Sequence, residues 1–544
     1  MLHAIRGEFF RYEAAIFLAA IVFYSLNLGG TPLLDPDEPV YGQTAREMYQ
    51  SGSWLTPRLN GNLWFDKPPM YFWLAACSYA IFGVNEFAAR FPSVFFAALL
   101  LALVFRWTAS VFGPNAGLCA ALTLGTSLLF SIIARAAVTD MTLCFFMTLS
   151  FYWLYRAFES PDEKFRFINL FYFTSGFSVL TKGPVGLVLP LMAAVPFFAA
   201  RKRWDVIRGL FSPTGFALFA LSALPWYIAM LLLHGKQFYY TFIGYHNLIR
   251  FLEPEHVKTS GIWFYIPVFI LGFFPFAASV SKAAWFVASG IFDREFYRKY
   301  ISGLRDCESR ETGAFSYILV INVIILAFFS VSKTKLPTYI LPVFPIAAIA
   351  FGAIEARSAA DKKNGMAPYL IQAILAGALS YGFAFIAPQK IPLADPSALF
   401  IISGACAAIA LVTVIAPAVK KLHLSVSGPA AAMALFLLAL NFLLLPQLSS
   451  DYTSEGICRL IKKAVRPGDR IACFSKTPSA LFYSDRPVEH VPDIRRTQKF
   501  LMSKSGRGYI IMLSSDLEKL LKKGDITVRF NQGEKSGKYV YIYN

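Results

Sequence analysis

The most informative shortage in this sequence is charge. Asp, Glu, Lys and Arg make up only 15% of the 544 residues, whereas a soluble domain carries about a quarter. Hydrophobic residues account for 56% of the chain. Apolar runs of ~17–25 residues recur along most of it, and each is long enough to cross a hydrocarbon core as a helix. This composition excludes an ordinary soluble protein and predicts a polytopic α-helical membrane protein.

Cysteine pairs and cofactor-binding motifs are also missing. The seven cysteines include no C-x-x-C pair, and the chain has no H-E-x-x-H, G-x-G-x-x-G or P-loop pattern. The sequence therefore indicates neither a zinc ribbon nor a nucleotide site, and no cofactor is implied with certainty. Cys458 and Cys473 share the C-terminal tail, where an oxidising compartment would permit a disulfide, although we do not expect one.

The apolar runs predict about thirteen transmembrane helices. Basic residues concentrate on the N-terminal side of these spans, as in ARKRWDVIRG (200–209), so the positive-inside rule makes the N-terminus cytoplasmic. Because thirteen is odd, the tail lies outside, which in a Gram-negative cell is the periplasm. The net charge of +18 therefore reflects topology rather than nucleic-acid binding. The predicted spans are 12–29, 86–108, 112–133, 138–158, 167–182, 184–200, 206–233, 262–286, 313–332, 336–355, 367–386, 396–420 and 426–447.

Two domains follow from this pattern, a transmembrane domain over 1–447 and a soluble tail over 448–544. The tail alternates helix-like and strand-like stretches, such as SEGICRLIKKAV followed by RPGDRIACF, which predicts a small periplasmic α/β domain. Periplasmic loops are expected at 30–85, 234–261 and 331–337. Within the first loop, TAREMYQSGSW predicts an amphipathic helix that begins near Thr44 and ends at Gly52.

The outer loops gather the charges that the spans lack. Charged groups at a membrane interface cost free energy unless they are paired or used. Several lysines stand just before prolines, in DKPPMY, TKGPVGL and TKLPTYILP, which predicts rigid helix entries. Converging cations suit a phosphate, and the aromatic residues around them suit a lipid tail. The loops supply the carboxylates Asp35, Asp37, Glu38, Asp66 and Asp140 and the cations Lys67, Arg135, Lys182, Arg250, Lys333 and Lys335.

Structural explanations compete with this one. The stretch DPDEP is also typical of a proline-rich turn, the lysines are also typical of side chains that snorkel to the interface, and Asp140 is close enough in sequence to pair with Arg135. A divalent metal held by outer carboxylates and a histidine stays open, because sequence does not show a closed ligand set.

Four stretches of the chain carry a family resemblance. DEPVYGQTAREMYQSGSWLTPRLNGNLWFDKPPMYFW resembles the first periplasmic loop of the bacterial aminoarabinose transferases that modify lipid A. RAAVTDMTL, TKGPVGLVLP and SKTKLPTYILP resemble later signatures of that family. The family shares the GT-C architecture with protein O-mannosyltransferases. The resemblance covers most of the membrane part and implies a GT-C glycosyltransferase whose donor is a polyprenyl-phosphate-linked sugar.

The resemblance also implies roles for single residues. Asp37 is similar to the acid of the first-loop Asp-Glu motif and Asp140 to a second essential aspartate. Lys67 and Arg250 are similar to residues that contact the donor phosphate, and Tyr339 to a tyrosine near the lipid phosphate. Lys182, Lys333 and Lys335 are further candidates for phosphate or lipid binding.

The chain departs from the family pattern at two positions. Asp66 stands where the family has Glu before the KPP lysine, and Asn247 aligns with the family's histidine while His246 is adjacent. Asp66 and His246 are accordingly the candidates for a divalent metal site.

The reaction implied is transfer of an aminoarabinose-like sugar or a hexose to lipid A or another envelope acceptor, with polyprenyl phosphate as the leaving group. Asp37 takes a proton from a hydroxyl acceptor, or only stabilises charge if the acceptor is a phosphate. The alternatives are a protein O-mannosyltransferase or glycan-modifying enzyme, and a flippase for a lipid-linked sugar. A flippase would more naturally carry charge at the membrane midplane and an internal repeat, and we find no repeat.

Overall fold

We analysed the fold in a computed structural model of the chain. It describes residues 2–242, 244, 261–276, 280, 282, 310–361, 366–391, 393, 395–418, 424–475, 477–503, 506–523 and 529–544.

Long apolar helices dominate the first part of the chain, and most predicted spans overlap one of them. The predicted span 262–286 overlaps only the short helix Tyr265–Gly272, and residues 277–279, 281 and 283–286 lie outside the described residues. The predicted span 112–133 is two helices rather than one, because the chain turns at Thr126 and Ser127. The helices of the membrane part are Leu2–Ser25, Asp37–Ser51, Met70–Phe82, Glu86–Phe112, Pro114–Gly125, Leu128–Ile133, Asp140–Glu159, Lys164–Lys182, Val185–Ala200, Trp204–Gly209, Pro213–Phe238, Tyr265–Gly272, Arg310–Val331, Val343–Asp361, Ala367–Tyr381, Ala387–Lys390, Ser397–Ala418, Leu424–Ala439 and Leu445–Ser449.

Six of the described helices are long and apolar enough to cross a membrane. The prediction of a polytopic α-helical membrane protein is confirmed, while the number thirteen stays a prediction because several of the other spans are shorter or interrupted. The six are Glu86–Phe112, Pro213–Phe242, Arg310–Val331, Ala367–Lys390, Ser397–Pro417 and Leu424–Ser449.

The first-loop helix, Asp37–Ser51, begins seven residues earlier than the sequence predicts. Pro36 and Pro39 suit a helix start, since a proline in the first turn sacrifices no hydrogen bond, and the acidic side chains of Asp37 and Glu38 lie in the first turn, where they complement the helix dipole. The predicted end is confirmed, because Gly52 caps the helix with φ 68°. The stretch DPDEP is thus a turn at Asp35 and Pro36 that leads directly into the helix at Asp37.

A buried ion pair fixes this helix to the membrane domain. The guanidinium of Arg90 donates to both carboxylate oxygens of Glu38, at 2.8 Å from Nε and 2.7 Å from Nη2. Its remaining hydrogens go to the carbonyl oxygens of Leu28, Thr31 and Pro32, so all five donors are used. Burial alone would raise the pKa of Glu38, but Arg90 and the backbone N–H groups of Leu34 and Ala137 together outweigh burial and hold that pKa below its usual value.

The C-terminal part of the chain forms a small α/β domain, as predicted, while its boundary at residue 448 stays a prediction. Its five-stranded sheet has the order Val488–His490, Arg470–Cys473, Gly508–Leu513, Tyr539–Tyr543 and Asn531–Ser536, and the first two pairings are parallel and the last two antiparallel. Cys458 and Cys473 are buried free thiols. The helices of the domain are Glu455–Ala464, Pro478–Tyr483, Ile494–Leu501 and Ser514–Lys523.

We expect Glu38→Ala to destabilise the protein by about 3–5 kcal/mol, because it leaves the Arg90 guanidinium buried without its counter-ion. The loss of stability is measured by denaturant or thermal unfolding in detergent. Glu163→Ala is the matched control, since its partner Arg166 and Glu163 itself are at least half exposed and such pairs contribute about 1 kcal/mol or less. Equal losses in the two variants would contradict the structural role of Glu38.

Candidate active site

Asp37 is the first residue of the first-loop helix and directly precedes the anchored residue Glu38. Glu38 is held by Arg90 and also accepts a hydrogen bond from the backbone N–H of Ala137 at 2.8 Å. That bond joins the start of the first-loop helix to the turn that precedes Asp140. A single buried carboxylate therefore sets the position of Asp37 relative to the second candidate aspartate.

A short hairpin presents the Asp66–Lys67 pair. Strands Arg58–Leu59 and Asn62–Leu63 pair antiparallel across Asn60 and Gly61, which both have positive φ, as a type I′ turn requires. The carboxylate of Glu47, on the first-loop helix, accepts from the backbone N–H of Asn60 at 2.7 Å and of Gly61 at 3.0 Å.

Lys67 follows this hairpin, and its ammonium lies 2.9 Å from the carboxylate of Asp66. Pro68 and Pro69 come next, and the helix Met70–Phe82 begins directly after them. The predicted rigid helix entry behind Lys67 is therefore present.

Asp140 pairs with Lys182 across two helices. Asp140 is the first residue of the helix Asp140–Glu159, and Lys182 is the last of Lys164–Lys182, with 2.8 Å between Nζ and Oδ1. The proposed pairing of Asp140 with Arg135 is wrong, because Arg135 donates to the carbonyl oxygen of Tyr24 at 2.5 Å. The cation at a helix C-terminus and the carboxylate at a helix N-terminus each complement the local dipole.

These groups form one electrostatic cluster around Asp37. Solvent reaches Asp37, yet the surrounding protein removes enough water to raise the pKa of its carboxyl above the ordinary value. Repulsion from Asp140 and Asp66 raises that pKa further, whereas Lys67 and Lys182 oppose the rise. Two cations and two other carboxylates thus lie within electrostatic reach of this solvent-accessible acid, an arrangement typical of functional sites.

The loop near residue 335 adds an aromatic wall. The ring centroid of Tyr339 lies 5.0 Å from the ammonium of Lys182, a cation–π distance. Lys333 is exposed. Lys335 is buried and donates to the carbonyl oxygen of Ser332, and burial lowers the pKa of its ammonium. Of the predicted phosphate-binding residues, the structure therefore brings Lys67, Lys182 and Tyr339 to the site of Asp37.

Two predicted residues and the metal site stay predictions. Arg250 and His246 lie outside the described residues. Among the residues that the structure describes, no three His, Cys, Asp or Glu side chains are close enough together to hold a metal ion. Asp66, the other candidate ligand, directs its carboxylate to Lys67.

The residues that sequence reasoning missed are the supports of the site. Arg90 lies inside the predicted span 86–108, and a charge in an apolar span is itself a signal because such charges are expensive unless they are paired. The Asn60–Gly61 dipeptide is a strong signal for a hairpin. Glu47 gave no comparable signal, because its partners are backbone N–H groups that come together only in the folded chain.

The helical bundle with its C-terminal sheet domain is a GT-C-type fold. ArnT from Cupriavidus metallidurans bound to undecaprenyl phosphate superimposes with a TM-score of 0.79, at 21% identity, over 97% of both chains. The apo state of that protein gives 0.78 over the same share. The fold class expected from the sequence is confirmed over nearly the whole chain.

Sequence comparison gives a consistent result for the membrane part. Residues 66–231 match the family described as dolichyl-phosphate-mannose-protein mannosyltransferase. An undecaprenyl phosphate-alpha-4-amino-4-deoxy-L-arabinose arabinosyl transferase from Edwardsiella ictaluri is 29% identical over 64% of this chain and 61% of its own length. The same enzyme from an Enterobacter species is 30% identical, over 62% and 58%. The chain thus spans about 60% of the length of these relatives, and the resemblance stated above is confirmed.

Proposed function

We propose that this protein is a glycosyltransferase that moves an aminoarabinose-like sugar from a polyprenyl-phosphate donor to lipid A. The observation that carries the proposal is the cluster of Asp37, Lys67, Asp140 and Lys182 in a fold shared with ArnT. The curated relatives are named for an undecaprenyl-phosphate-linked aminoarabinose, which supports the same donor here. The protein is a multi-pass membrane protein, and we place it in the inner membrane with the N-terminus cytoplasmic and the site and C-terminal domain periplasmic.

The two lysines have the chemistry to stabilise the leaving group. Breaking the glycosidic bond leaves positive charge on the sugar and adds negative charge to the departing phosphate. Lys67 and Lys182 are already oriented by Asp66 and Asp140 at 2.9 and 2.8 Å. Preorganised cations of this kind stabilise developing charge without reorganising during the reaction. Tyr339, packed on Lys182, offers an aromatic surface to the lipid chain next to the phosphate.

Asp37 is the candidate catalytic residue. It has solvent access, whereas Asp140 and Asp66 are each engaged by a lysine. Its raised pKa suits proton acceptance better than an unperturbed aspartate does, because a base works best with a pKa closer to the operating pH. Toward an acceptor that is already ionised, such as a lipid A phosphate, the same carboxylate would stabilise the cationic sugar.

A protein O-mannosyltransferase is the second candidate, because residues 66–231 match a family that carries that description. Both candidates use a polyprenyl-type phosphate donor and the same electrostatic cluster. The two candidates differ in the acceptor. A protein O-mannosyltransferase transfers the sugar to a hydroxyl group, and Asp37 would then have to remove the proton of that hydroxyl as a general base.

We expect Asp37→Asn to lower sugar transfer from a polyprenyl-phosphate donor by about 10²–10⁴-fold, the contribution of a positioned acid–base group. Transfer is measured in membranes or nanodiscs with protein levels matched. Asp395→Asn is the control, since Asp395 is an exposed carboxylate of another predicted outer loop and should leave transfer unchanged. Full activity of the Asp37→Asn variant would show that Asp37 is not a catalytic residue.

The electrostatics of the cluster predict opposite pH shifts in two variants. Activity that needs the Asp37 carboxylate is present above its pKa and is lost as the pH falls through that pKa. Lys182→Gln removes an opposing cation and should move the acid limb of kcat/KM to higher pH. Asp66→Asn removes a repelling charge and should move that limb to lower pH. If the acid limb of kcat/KM lies at the wild-type pH in both variants, the pH dependence of activity does not come from Asp37.

The acceptor is identified by mass spectrometry of lipid A and of envelope proteins and glycans from cells with and without the gene. We expect an aminopentose mass difference on lipid A. A hexose on envelope protein would instead favour the mannosyltransferase, and intact donor moved across the bilayer with no covalent product would favour a flippase.

A further inference from the structure

Asp35 lies two residues before Asp37 but points to the C-terminal domain. Its carboxylate accepts from the backbone N–H of Ser479 at 2.7 Å and from the hydroxyl of Ser479 at 2.6 Å. The hydroxyl of Tyr539 adds a third donor at 3.4 Å. Donor and acceptor are separated by more than 440 residues in sequence, so this contact exists only when the C-terminal domain is docked.

The main chain around Asp35 is held by the same domain. The backbone N–H of Leu33 donates to the hydroxyl of Tyr483 at 2.6 Å, and that hydroxyl donates to the carboxylate of Glu86 at 3.0 Å. The backbone N–H of Asp35 donates to the carbonyl oxygen of Tyr452 at 2.9 Å. Leu33 is fully buried. In the segment that leads into the first-loop helix, the C-terminal domain therefore binds the backbone N–H groups of Leu33 and Asp35 and the carboxylate of Asp35.

The domain also contacts the far side of the helix and the hairpin. Arg46, on the first-loop helix, pairs with Asp485 at 2.8 Å and donates to the carbonyl oxygen of Phe482 at 3.0 Å. Asn60, in the hairpin turn, exchanges two hydrogen bonds with the backbone of Val488, at 2.7 and 3.1 Å. These contacts surround the elements that present Asp37 and Lys67.

We infer that the C-terminal domain positions the candidate catalytic residue, with Asp35, Ser479 and Tyr483 as positioning residues. Asp37 has an anchored carboxylate on each side. Glu38 is bound to Arg90 of the membrane domain, and Asp35 is bound to Ser479 of the C-terminal domain. With one proline between Asp35 and Asp37, the backbone has little freedom to move Asp37 while both anchors hold.

This inference rests on the proposed function and predicts a specific kinetic signature. Loss of the Asp35 anchor leaves Lys67 and Lys182 in place, so donor binding should change little. Misplacement of a reacting group by about 1 Å can cost ~10²-fold in rate. The effect should therefore fall on kcat rather than on the KM for the donor.

The test uses the full chain in nanodiscs with undecaprenyl-phosphate-linked aminoarabinose as donor. We expect Asp35→Ala to lower kcat by about 10- to 100-fold with the donor KM within about twofold, and Ser479→Ala to lower kcat in the same way but less. Tyr541→Phe is the control, because Tyr541 lies two residues after Tyr539 on the same strand and makes no contact with Asp35 in the described hydrogen bonds.

Hydrogen exchange of the amides of residues 37–51 gives a second measurement that needs no activity. We expect faster exchange there in Asp35→Ala and Ser479→Ala, and wild-type exchange in Tyr541→Phe. A folded Asp35→Ala or Ser479→Ala with wild-type kcat and wild-type exchange overturns the inference, as does a raised KM with unchanged kcat. If the Asp35→Ala variant does not fold, the Ser479→Ala variant provides the test of the inference.

If the wild-type protein transfers no sugar, the proposed function fails. Hydrogen exchange then still tests whether the bond between Asp35 and Ser479 holds the first-loop helix in place.

Discussion

The buried ion pair between Glu38 and Arg90 is the constraint on which the site depends. Arg90 uses every donor it has, on Glu38 and on the carbonyl oxygens that close the first span. Glu38 in turn holds the backbone of Ala137, just before Asp140. A charge pair in such a place is expensive to bury. It nevertheless joins the first-loop helix to the helix Glu86–Phe112 and to the turn before Asp140 through one carboxylate. Hydrophobic packing alone would not do this with the same directional precision.

The three acids of DPDEP therefore have three different functions that follow from their surroundings. Asp35 is bound to the C-terminal domain, Glu38 to the membrane domain, and Asp37 faces solvent among lysines and other carboxylates. The outer two are satisfied by hydrogen bonds, as buried polar groups must be. The middle one is left with a raised pKa and access to solvent, which is the combination that the proposed catalytic role requires.

Pairing between unlike charges gives the site its preorganisation. Lys67 is paired with Asp66 and Lys182 with Asp140, so both cations are already oriented for the phosphate that the proposed function requires. The hairpin at Asn60 and Gly61 and the helix ends at Asp140 and Lys182 are rigid elements rather than loose loops. Because both the membrane domain and the C-terminal domain contact the first-loop helix, both domains constrain the geometry of the candidate active site.

The sequence alone determined the membrane character, the approximate positions of the spans, the α/β tail and the charged outer loops, because hydrophobic length and residue type are local properties. It also distinguished Asp37, Lys67, Asp140 and Lys182 as residues of interest. Only the tertiary structure decided their partners, for example Lys182 rather than Arg135 for Asp140, and it moved the start of the first-loop helix from Thr44 to Asp37. The physical reason is that ion pairing and backbone anchoring join groups hundreds of residues apart, as Asp35 and Ser479 show, and no local pattern encodes such a distance.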